Sequence, residues 1–325
     1  MNDRAVGLLE RYDVEVRKTR KGRGATLCDT DRGCLIFKEY AGNEQKIALQ
    51  NRILEQVSES GSVNVEQIVP DKEGNLLVKD NDGTSYVLKT WFEGSECNIY
   101  ERAECVEAVR ILARLHLSME AVEWQGSVPV FRPDLEYEKH NRELRKVRKY
   151  LYNKGQKNKF ERCLLQTYEP FLLQALEIAK QWEQYSHLQE GQPECHFLCH
   201  GDYQYHNIIK SEREWYIVNF ERYVRDNPIR DLCLLLRKLL EKSNWSIALG
   251  TELLNSYQEI RPISAYSMID LYYRLAYPEK FWKIVNFYFN SGKAWIPERN
   301  LEKLTKLLEQ EPQKQHFLDT VFRTI

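Results

Sequence analysis

The sequence has no apolar run approaching the roughly 20 residues of a membrane-spanning helix, so a transmembrane protein is not expected. Residues 1–16 carry charges throughout and lack the apolar core of a secretory signal, so we expect synthesis in the cytoplasm. With 47 basic and 48 acidic side chains the net charge is −1, which does not favour specific nucleic-acid binding. Internal repeats and low-complexity segments are also absent.

A disulfide framework is missing too. The eight cysteines are scattered through 325 residues, and without an export signal we expect free thiols in a reducing compartment. One local group, Cys195, His196, Cys199 and His200, could hold zinc, but its spacing fits no common zinc-ligand pattern. The 42% of hydrophobic residues are sufficient for the core of one large domain or two modest ones.

The local patterns predict an α+β fold with two parts. The first ninety residues favour short strands around one helix: strands at 14–18, 25–28, 34–39, 76–79 and 86–90, and a helix at 43–58. The later chain favours helices, interrupted by a strand–loop–strand unit: helices at 102–119, 135–152 and 160–185, the unit at 197–220, and helices from 228 onward. We therefore predict a β-rich N-terminal lobe at 1–93 and a mostly helical lobe at 94–325. An architecture of this kind holds a ligand between its lobes.

The loop at 199–209 carries the most specific chemical pattern. Asp202 is followed five residues later by Asn207, which is the spacing of a kinase catalytic loop. In that role Asp202 orients a substrate hydroxyl as the catalytic base, and Asn207 holds a magnesium ion. His200 and Gly201 would shape the loop. The plainer interpretation is a surface turn with incidental polar residues.

Nucleotide-binding candidates lie in the first lobe. Lys38, in the strand before the predicted helix, is placed to pair with the α- and β-phosphates of ATP. Gly22 and Gly24 lie where a phosphate-covering loop would be, although the full G-x-G-x-x-G pattern is missing. Trp91 and Phe92 fall where a hinge would offer backbone hydrogen bonds to adenine. An apolar link between lobes is the alternative for this last pair.

Together these motifs resemble the aminoglycoside phosphotransferase and choline kinase superfamily. The order is Lys38, the loop at 199–209, a strand ending in Asn219-Phe220, and a D-N-P-x-x-D-L element at 226–232. A more specific resemblance is to the CotS family of spore-coat proteins, carried by the segments 199–207, 230–232, 274–284 and 290–295.

The resemblance carries several implications. It implies a protein-kinase-like two-lobed fold, with ATP and Mg²⁺ as cofactors if the site is functional. It places metal ligands at Asn207 and Asn219, and has Asp231 brace the catalytic loop and cap a helix. It also implies a spore-forming bacterium, synthesis in the mother cell, and deposition on the spore coat.

Two positions depart from this pattern. The metal-binding Asp of the superfamily is Asn219, which offers an oxygen without a negative charge. Losing one preorganised group of this kind typically costs about 3 kcal/mol, or roughly a hundredfold in rate. The Glu that should hold Lys38 is replaced by Gln50, with Glu44 and Glu55 as alternatives within a short shift of the alignment.

These departures favour a spore-coat protein with an impaired phosphotransfer site. Such a protein would act in coat assembly by binding other coat proteins or coat polysaccharide. The alternative is an active ATP- and Mg²⁺-dependent kinase that phosphorylates a small hydroxylated substrate, and a nucleotide-sensing or other binding role is a third hypothesis.

Two further surface patterns allow two interpretations each. Basic runs at 17–23 and 139–162 are either solvated faces or contacts for an anionic partner. The aromatic residues in 271–289 either form core packing or a cage for a cationic substrate.

Overall fold

The computed structural model describes residues 7–22, 24–124, 127–186, 197–212, 214–290 and 297–323. The chain forms two compact units, each made of separate segments. The first comprises Met1–Pro129, Phe197–Arg225 and Ser256–Arg261, and the second Val130–His196, Asp226–Asn255 and Pro262–Ile325. The predicted division of the chain into two continuous lobes, 1–93 and 94–325, stays a prediction. The α+β fold class is confirmed.

The first unit contains most of the strands and two helices. Its elements, numbered in chain order, are β1 (Val16–Gly22), β2 (Ala25–Thr30), β3 (Gly33–Glu39), α1 (Glu44–Glu59), β4 (Asn64–Val65), β5 (Ile68–Val69), β6 (Val78–Lys79), β7 (Ser85–Thr90), β8 (Ser95–Glu96), α2 (Arg102–Glu120), β9 (Phe197–Cys199), β10 (Ile208–Lys210), β11 (Trp215–Ile217) and β12 (Val224–Asp226), whose last residue begins the second unit.

An antiparallel sheet in the order β1-β2-β3-β7-β5, with β6 beside β7, forms the base of the first unit. The β2–β3 turn closes at Gly33, whose φ of 92° is readily accessible to glycine. Phe37 and Leu88 are fully buried on one face of this sheet, and Phe37 stacks on Tyr86. The register places Lys38 opposite Val87 and sets β3 and β7 side by side.

The main helix of the first unit, α1, begins where the sequence offers a cap. The side chain of Asn43 accepts a hydrogen bond from the backbone N–H of Lys46 at 2.9 Å. A second sheet, in the order β4-β11-β10-β8, carries the loop that follows β9. Cys97 is joined to this sheet, since its backbone N–H donates to the backbone carbonyl of Ile208 at 2.9 Å. This sheet holds the C-terminal end of the 199–209 segment, and β9, which pairs with β12, holds its N-terminal end.

The second unit is helical. Its elements are α3 (Pro133–Asn153), α4 (Lys159–Ser186), α5 (Ile229–Lys242), α6 (Ile247–Gln258, with its last turn in the first unit), α7 (Ala265–Ala276), α8 (Glu279–Asn290) and α9 (Pro297–Val321). Aromatic packing dominates its core: Phe281 stacks on Phe171, and Tyr277 stacks on Tyr137. Both Phe281 and Tyr277 are buried, so these two aromatic side chains of the 271–289 segment serve the core.

Most predicted helices and longer strands are present within one to a few residues of their expected ends. The first strand runs from Val16 to Gly22 and is longer than the predicted 14–18. The two-residue strands β4, β5 and β8 were not predicted, because two residues carry no readable alternation. Among the described residues, no helix is long and apolar enough to cross a membrane.

Candidate functional site

The loop after β9 is fixed by His200 and Gly201. The Nδ1 atom of His200 accepts from the backbone N–H of Asp202 at 3.2 Å, so Nε2 carries the proton and donates to the carbonyl of Val218 at 3.1 Å. Gly201 has a φ of 79°, and a Cβ there would lie 1.9 Å from the carbonyl oxygen of Arg222. No larger residue fits at this position without moving the backbone.

Asp202 presents a partly exposed carboxylate from this loop. Its Oδ1 accepts from Gln204 Nε2 at 2.6 Å, and its Oδ2 lies 3.9 Å from Nε of Arg222. The side chain of Asp202 is 20% exposed, whereas that of Arg222 is 75% exposed and largely solvated. The carboxylate is therefore held in place and still accessible, as a group that accepts a proton must be.

Asn207 and Asn219 form a direct amide pair. Nδ2 of Asn207 donates to the backbone carbonyl of Asp202 at 2.8 Å, which leaves its Oδ1 as an acceptor. Nδ2 of Asn219 donates to that Oδ1 at 2.8 Å. Oδ1 of Asn219 accepts from Nζ of Lys38 at 3.2 Å. Asn219 thus bridges the loop and the lysine strand with both ends of its amide.

The orientation of the Asn219 amide follows from its neighbours. The ammonium of Lys38 can only donate, so the amide oxygen must face it, and the amide nitrogen must face Asn207. The backbone of Asn219 is left-handed, with φ 68° and ψ 55°, a region that Asn and Asp adopt more readily than most residues. An Asp at this position would accordingly keep the backbone while changing the chemistry.

Lys38 has a carboxylate partner that the sequence interpretation missed. Oε1 of Glu221 lies 3.0 Å from Nζ of Lys38 and 2.7 Å from Nζ of Lys89. Lys89 also pairs with Glu66 at 2.8 Å, and both of these side chains are fully buried. Glu66 further accepts from the backbone N–H of Phe220 at 3.0 Å. We call Lys38, Glu221, Lys89 and Glu66 the lysine–glutamate chain.

The electrostatics of this chain favour its charged form. Burial would lower the pKa of Lys89, but Glu66 and Glu221 outweigh burial and raise it. Burial likewise pushes the pKa of Glu221 upward, yet Lys89 and Lys38 lower it to about 2. Glu221 is consequently a fixed negative charge beside Lys38.

Gln50 occupies a different place from the one expected for a partner of Lys38. It is fully buried in α1, and its Oε1 accepts from the hydroxyl of Tyr40 at 3.0 Å. Its Nε2 has no hydrogen-bond partner among the described residues. The structure pairs Lys38 with Glu221 and Asn219 instead. Glu44, one of the alternatives, forms an exposed pair with Lys79.

The remaining nucleotide-binding candidates lie at or just after the ends of strands β1 and β7. Gly22 ends β1, and Gly24 has a φ of 67° in the following turn, so both lie at the tip of the β1–β2 hairpin. The backbone N–H of Trp91 donates to the carbonyl of Cys34 at 2.9 Å, and that donor is already used within the protein. Phe92 stacks on Tyr216 with 3.7 Å between ring centroids. Their roles toward a nucleotide stay predictions.

Two other expectations concern residues outside this cluster. Asp231 is buried in the first turn of α5, within the second unit, and its bracing role toward the loop stays a prediction. The zinc alternative falls partly on Cys195 and His196, which lie outside the described residues. In the part of the chain that the structure describes, no group of three or more His, Cys, Asp or Glu side chains is arranged to hold a metal.

The donor set around Asn219 does not fit a kinase-type magnesium site. Mg²⁺ requires oxygen ligands in near-octahedral geometry, and carboxylates contribute most of the opposing charge. Here Asn219 directs an N–H toward Asn207, and its oxygen is engaged by Lys38. The carboxylate next along the chain, Glu221, is bound by two ammonium groups. We therefore derive no phosphotransfer step through a metal.

Solved structures identify the class of fold. An aminoglycoside phosphotransferase from Alicyclobacillus acidocaldarius superposes with a TM-score of 0.83 at 18% identity, over 97% of this chain and 94% of that one. Spectinomycin phosphotransferase in complex with ADP and spectinomycin gives 0.66 at 14% identity, covering 97% and 96%. Choline kinase from Streptococcus pneumoniae gives 0.57 at 14% identity, covering 94% and 97%. These likenesses define a protein-kinase-like phosphotransferase fold, as the sequence predicted.

The family is established by sequence. The chain belongs to the family described as spore coat putative kinase YutH, whose model matches residues 6–321. It is also 28% identical over 124 residues to spore coat protein S of Bacillus subtilis (strain 168). That match spans 38% of this chain and 35% of the relative's length. The predicted relation to spore-coat proteins is confirmed.

Proposed function

We propose that this chain is a spore-coat protein with an impaired phosphotransfer site, acting in coat assembly through binding. Its partners would be other coat proteins or coat polysaccharide, and its site of action the spore coat after synthesis in the mother cell. The observation that carries this proposal is the bridge of Asn219 between Lys38 and Asn207. At residue 219 the chain has a neutral amide where the resemblance expects a negatively charged metal ligand.

The chemical consequence of the bridge concerns charge. Phosphoryl transfer depends on cations that neutralise the phosphates and the developing negative charge. A neutral amide at residue 219 removes one of the charges that would retain a dication there. The loss of one such group corresponds to about 3 kcal/mol of transition-state stabilisation.

The lysine–glutamate chain does not by itself separate the two candidate functions. In active kinases a lysine–glutamate ion pair positions the phosphate-binding lysine, and Glu221 lies 3.0 Å from Lys38 here. The proposal therefore depends on residue 219.

The test is a thermal-shift measurement with millimolar ATP, with and without Mg²⁺, on the wild type and on Asn219→Asp. We expect no magnesium-dependent shift for the wild type, and one for the variant, because a ligand at a hundred times its Kd stabilises by roughly 2.7 kcal/mol. Asp82→Asn, in an exposed turn of the same unit, is the matched control. A magnesium-dependent shift of the wild type that Asn219→Asp leaves unchanged would overturn the proposal.

Asp202 supports a second candidate, an active ATP-dependent kinase acting on a small hydroxylated substrate. Its carboxylate is retained, held by Gln204 and 20% exposed, which suits a catalytic base. For this candidate we expect ATP turnover by the wild type that Asp202→Asn reduces at least about a hundredfold. Unchanged coat assembly in Asp202→Asn spores, together with no turnover, would favour the binding role.

A further inference from the structure

A second ligand site lies wholly within the helical unit. It is a cavity of about 150 Å³ bounded by Phe171, residues 237–245 of α5 and its C-terminal extension, residues 275–280, and residues 303–314 of α9. We call this cavity the basic pocket. It shares no residue with the Asp202 site, so an inference about it is independent of the proposed function.

The lining of the basic pocket has a strong excess of positive charge. Seven of its side chains are Lys or Arg and two are Glu. Both glutamates already have a lysine nearby: Glu241 accepts from Lys280 at 2.6 Å, and Glu311 lies 3.7 Å from Lys314. The formal charge summed over the lining residues is +5.

Two of these cations are held away from bulk water. Lys314 is 6% exposed, and its Nζ donates to the carbonyl of Ala276 at 3.3 Å. Burial lowers the pKa of Lys314, an effect that Glu311 opposes and the nearby Arg237 reinforces. Nε of Arg237 is buried and has no hydrogen-bond partner among the described residues. An unsatisfied buried donor is unfavourable, and an anionic acceptor within reach of this nitrogen would satisfy it.

The same pocket offers apolar surface next to these cations. Trp245, Leu275, Tyr277 and Leu307 contribute to its walls. Trp245, Leu275 and Tyr277 are themselves buried, so they are held by the core and do not depend on a ligand for their position. A cavity of roughly this volume accommodates a benzene-sized molecule.

We propose that the basic pocket binds a small organic anion, whose carboxylate or phosphate group contacts the cationic side chains and whose benzene-sized apolar body packs against Trp245, Tyr277 and Leu307. Charge without an apolar wall would suit a hydrated ion, and an apolar wall without charge would suit a neutral ligand. This pocket combines both features. An ordinary solvated lysine face on α9 is the competing explanation.

The experiment is calorimetric titration of the full chain with benzoate, phenyl phosphate and the neutral benzamide. We expect benzoate or phenyl phosphate to bind at least about tenfold more tightly than benzamide, the preference between the two anions identifying the head group. Lys306→Glu, at an exposed position of the lining, and Lys314→Met should each weaken anion binding by about tenfold or more.

Arg299→Ala is the matched control, because Arg299 is an exposed cation on the same helix outside the pocket lining. It should bind both anions like the wild type. Circular dichroism checks that each variant is folded. If Lys314→Met does not fold, the comparison of Lys306→Glu with the wild type tests the proposal. Equal affinity for benzamide and benzoate, equal weakening by Arg299→Ala, or no anion binding at millimolar concentration would each overturn the proposal.

Discussion

Each of the two units buries a cluster of charged side chains, and the clusters differ in how their charges balance. The first unit has the lysine–glutamate chain, with two ammonium groups for two carboxylates. The second unit sets one guanidinium, that of Arg274, between the carboxylates of Asp226 and Asp270. The next cation, Arg230, is 3.9 Å from Asp226. The first cluster pairs two ammonium groups with two carboxylates at 2.7–3.0 Å, whereas in the second two carboxylates share the guanidinium of Arg274 at hydrogen-bond distance and Arg230 lies farther away.

This difference in the number of close counter-charges shifts the pKa values of Glu221 and Asp270 in opposite directions. Glu221 is buried but faces two lysines, which outweigh the burial and lower its pKa to about 2. Asp270 is also buried, and its share of Arg274 does not offset that burial, so its pKa rises to about 6. Burial alone therefore does not set the protonation state of a carboxyl group. The number of counter-charges close to it also decides that state.

Removing the shared arginine should have the largest effect. Arg274→Met removes the one guanidinium that contacts both buried carboxylates and leaves Arg230 at 3.9 Å from Asp226, and we expect a loss of about 5 kcal/mol in the free energy of unfolding at pH 7. Urea denaturation followed by circular dichroism measures it. Adding Asp270→Asn to Arg274→Met should restore part of the loss. A loss under 1 kcal/mol would mean that the cluster is not buried as described.

The equivalent change in the balanced cluster should cost less. Lys89→Met leaves the buried carboxylate of Glu66 without its lysine, whereas Glu221 still contacts Lys38. We therefore expect a loss of about 3 kcal/mol in the free energy of unfolding. Lys79→Met is the matched control, since Lys79 pairs with Glu44 on the surface and such pairs contribute less than about 1 kcal/mol. Equal losses for Lys79→Met and Lys89→Met in urea titrations would refute the assigned burial.

Glu221→Gln tests the depressed pKa through its pH dependence. A carboxyl with a lowered folded-state pKa contributes stability above its unfolded value near 4.5 and loses it as pH falls toward about 2. We expect the free energy of unfolding of the wild type to exceed that of the variant by roughly 3 kcal/mol at pH 7. That difference should shrink steadily below pH 4.5 in urea midpoints. A constant difference across this range would contradict the assignment.

Asp270→Asn should have the smallest effect and the opposite sign of pH dependence. Because the folded-state pKa is raised from 3.8 to about 6, the stability that protonated Asp270 contributes is lost as pH rises through this window. The variant should therefore gain about 2 kcal/mol relative to the wild type between pH 4 and pH 7. If the variant instead becomes less stable relative to the wild type between pH 4 and pH 7, the raised pKa of Asp270 is wrong.

Sequence reasoning found the parts of the site that are encoded locally. The spacing of Asp202 and Asn207, the position of Lys38 in its strand, and the replacement at Asn219 could all be read from short motifs, and the structure brings Lys38, Asn207 and Asn219 together. The fold class followed from the strand and helix patterns together with these motifs.

The lysine–glutamate chain could not be predicted in the same way, because its pairs join residues that are far apart in sequence. Lys89 and Glu221 are separated by 132 positions. One signal was available: Lys89 follows Tyr86, Val87 and Leu88 in a strand whose central residues are all buried, and a buried lysine requires a partner. The identity of that partner depends on how β7 and the 220–222 turn meet in the folded unit.

The account rests most directly on Asn219, and isothermal titration with Mg²⁺–ATP tests it. Wild type, Asn219→Asp and the double variant Asn219→Asp with Asn207→Ala would be titrated with ATP in the presence and absence of Mg²⁺. We predict that Asn219→Asp binds Mg²⁺–ATP at least about tenfold more tightly than the wild type, and that the double variant loses this gain. Equally tight, magnesium-dependent binding by the wild type would contradict the impaired site.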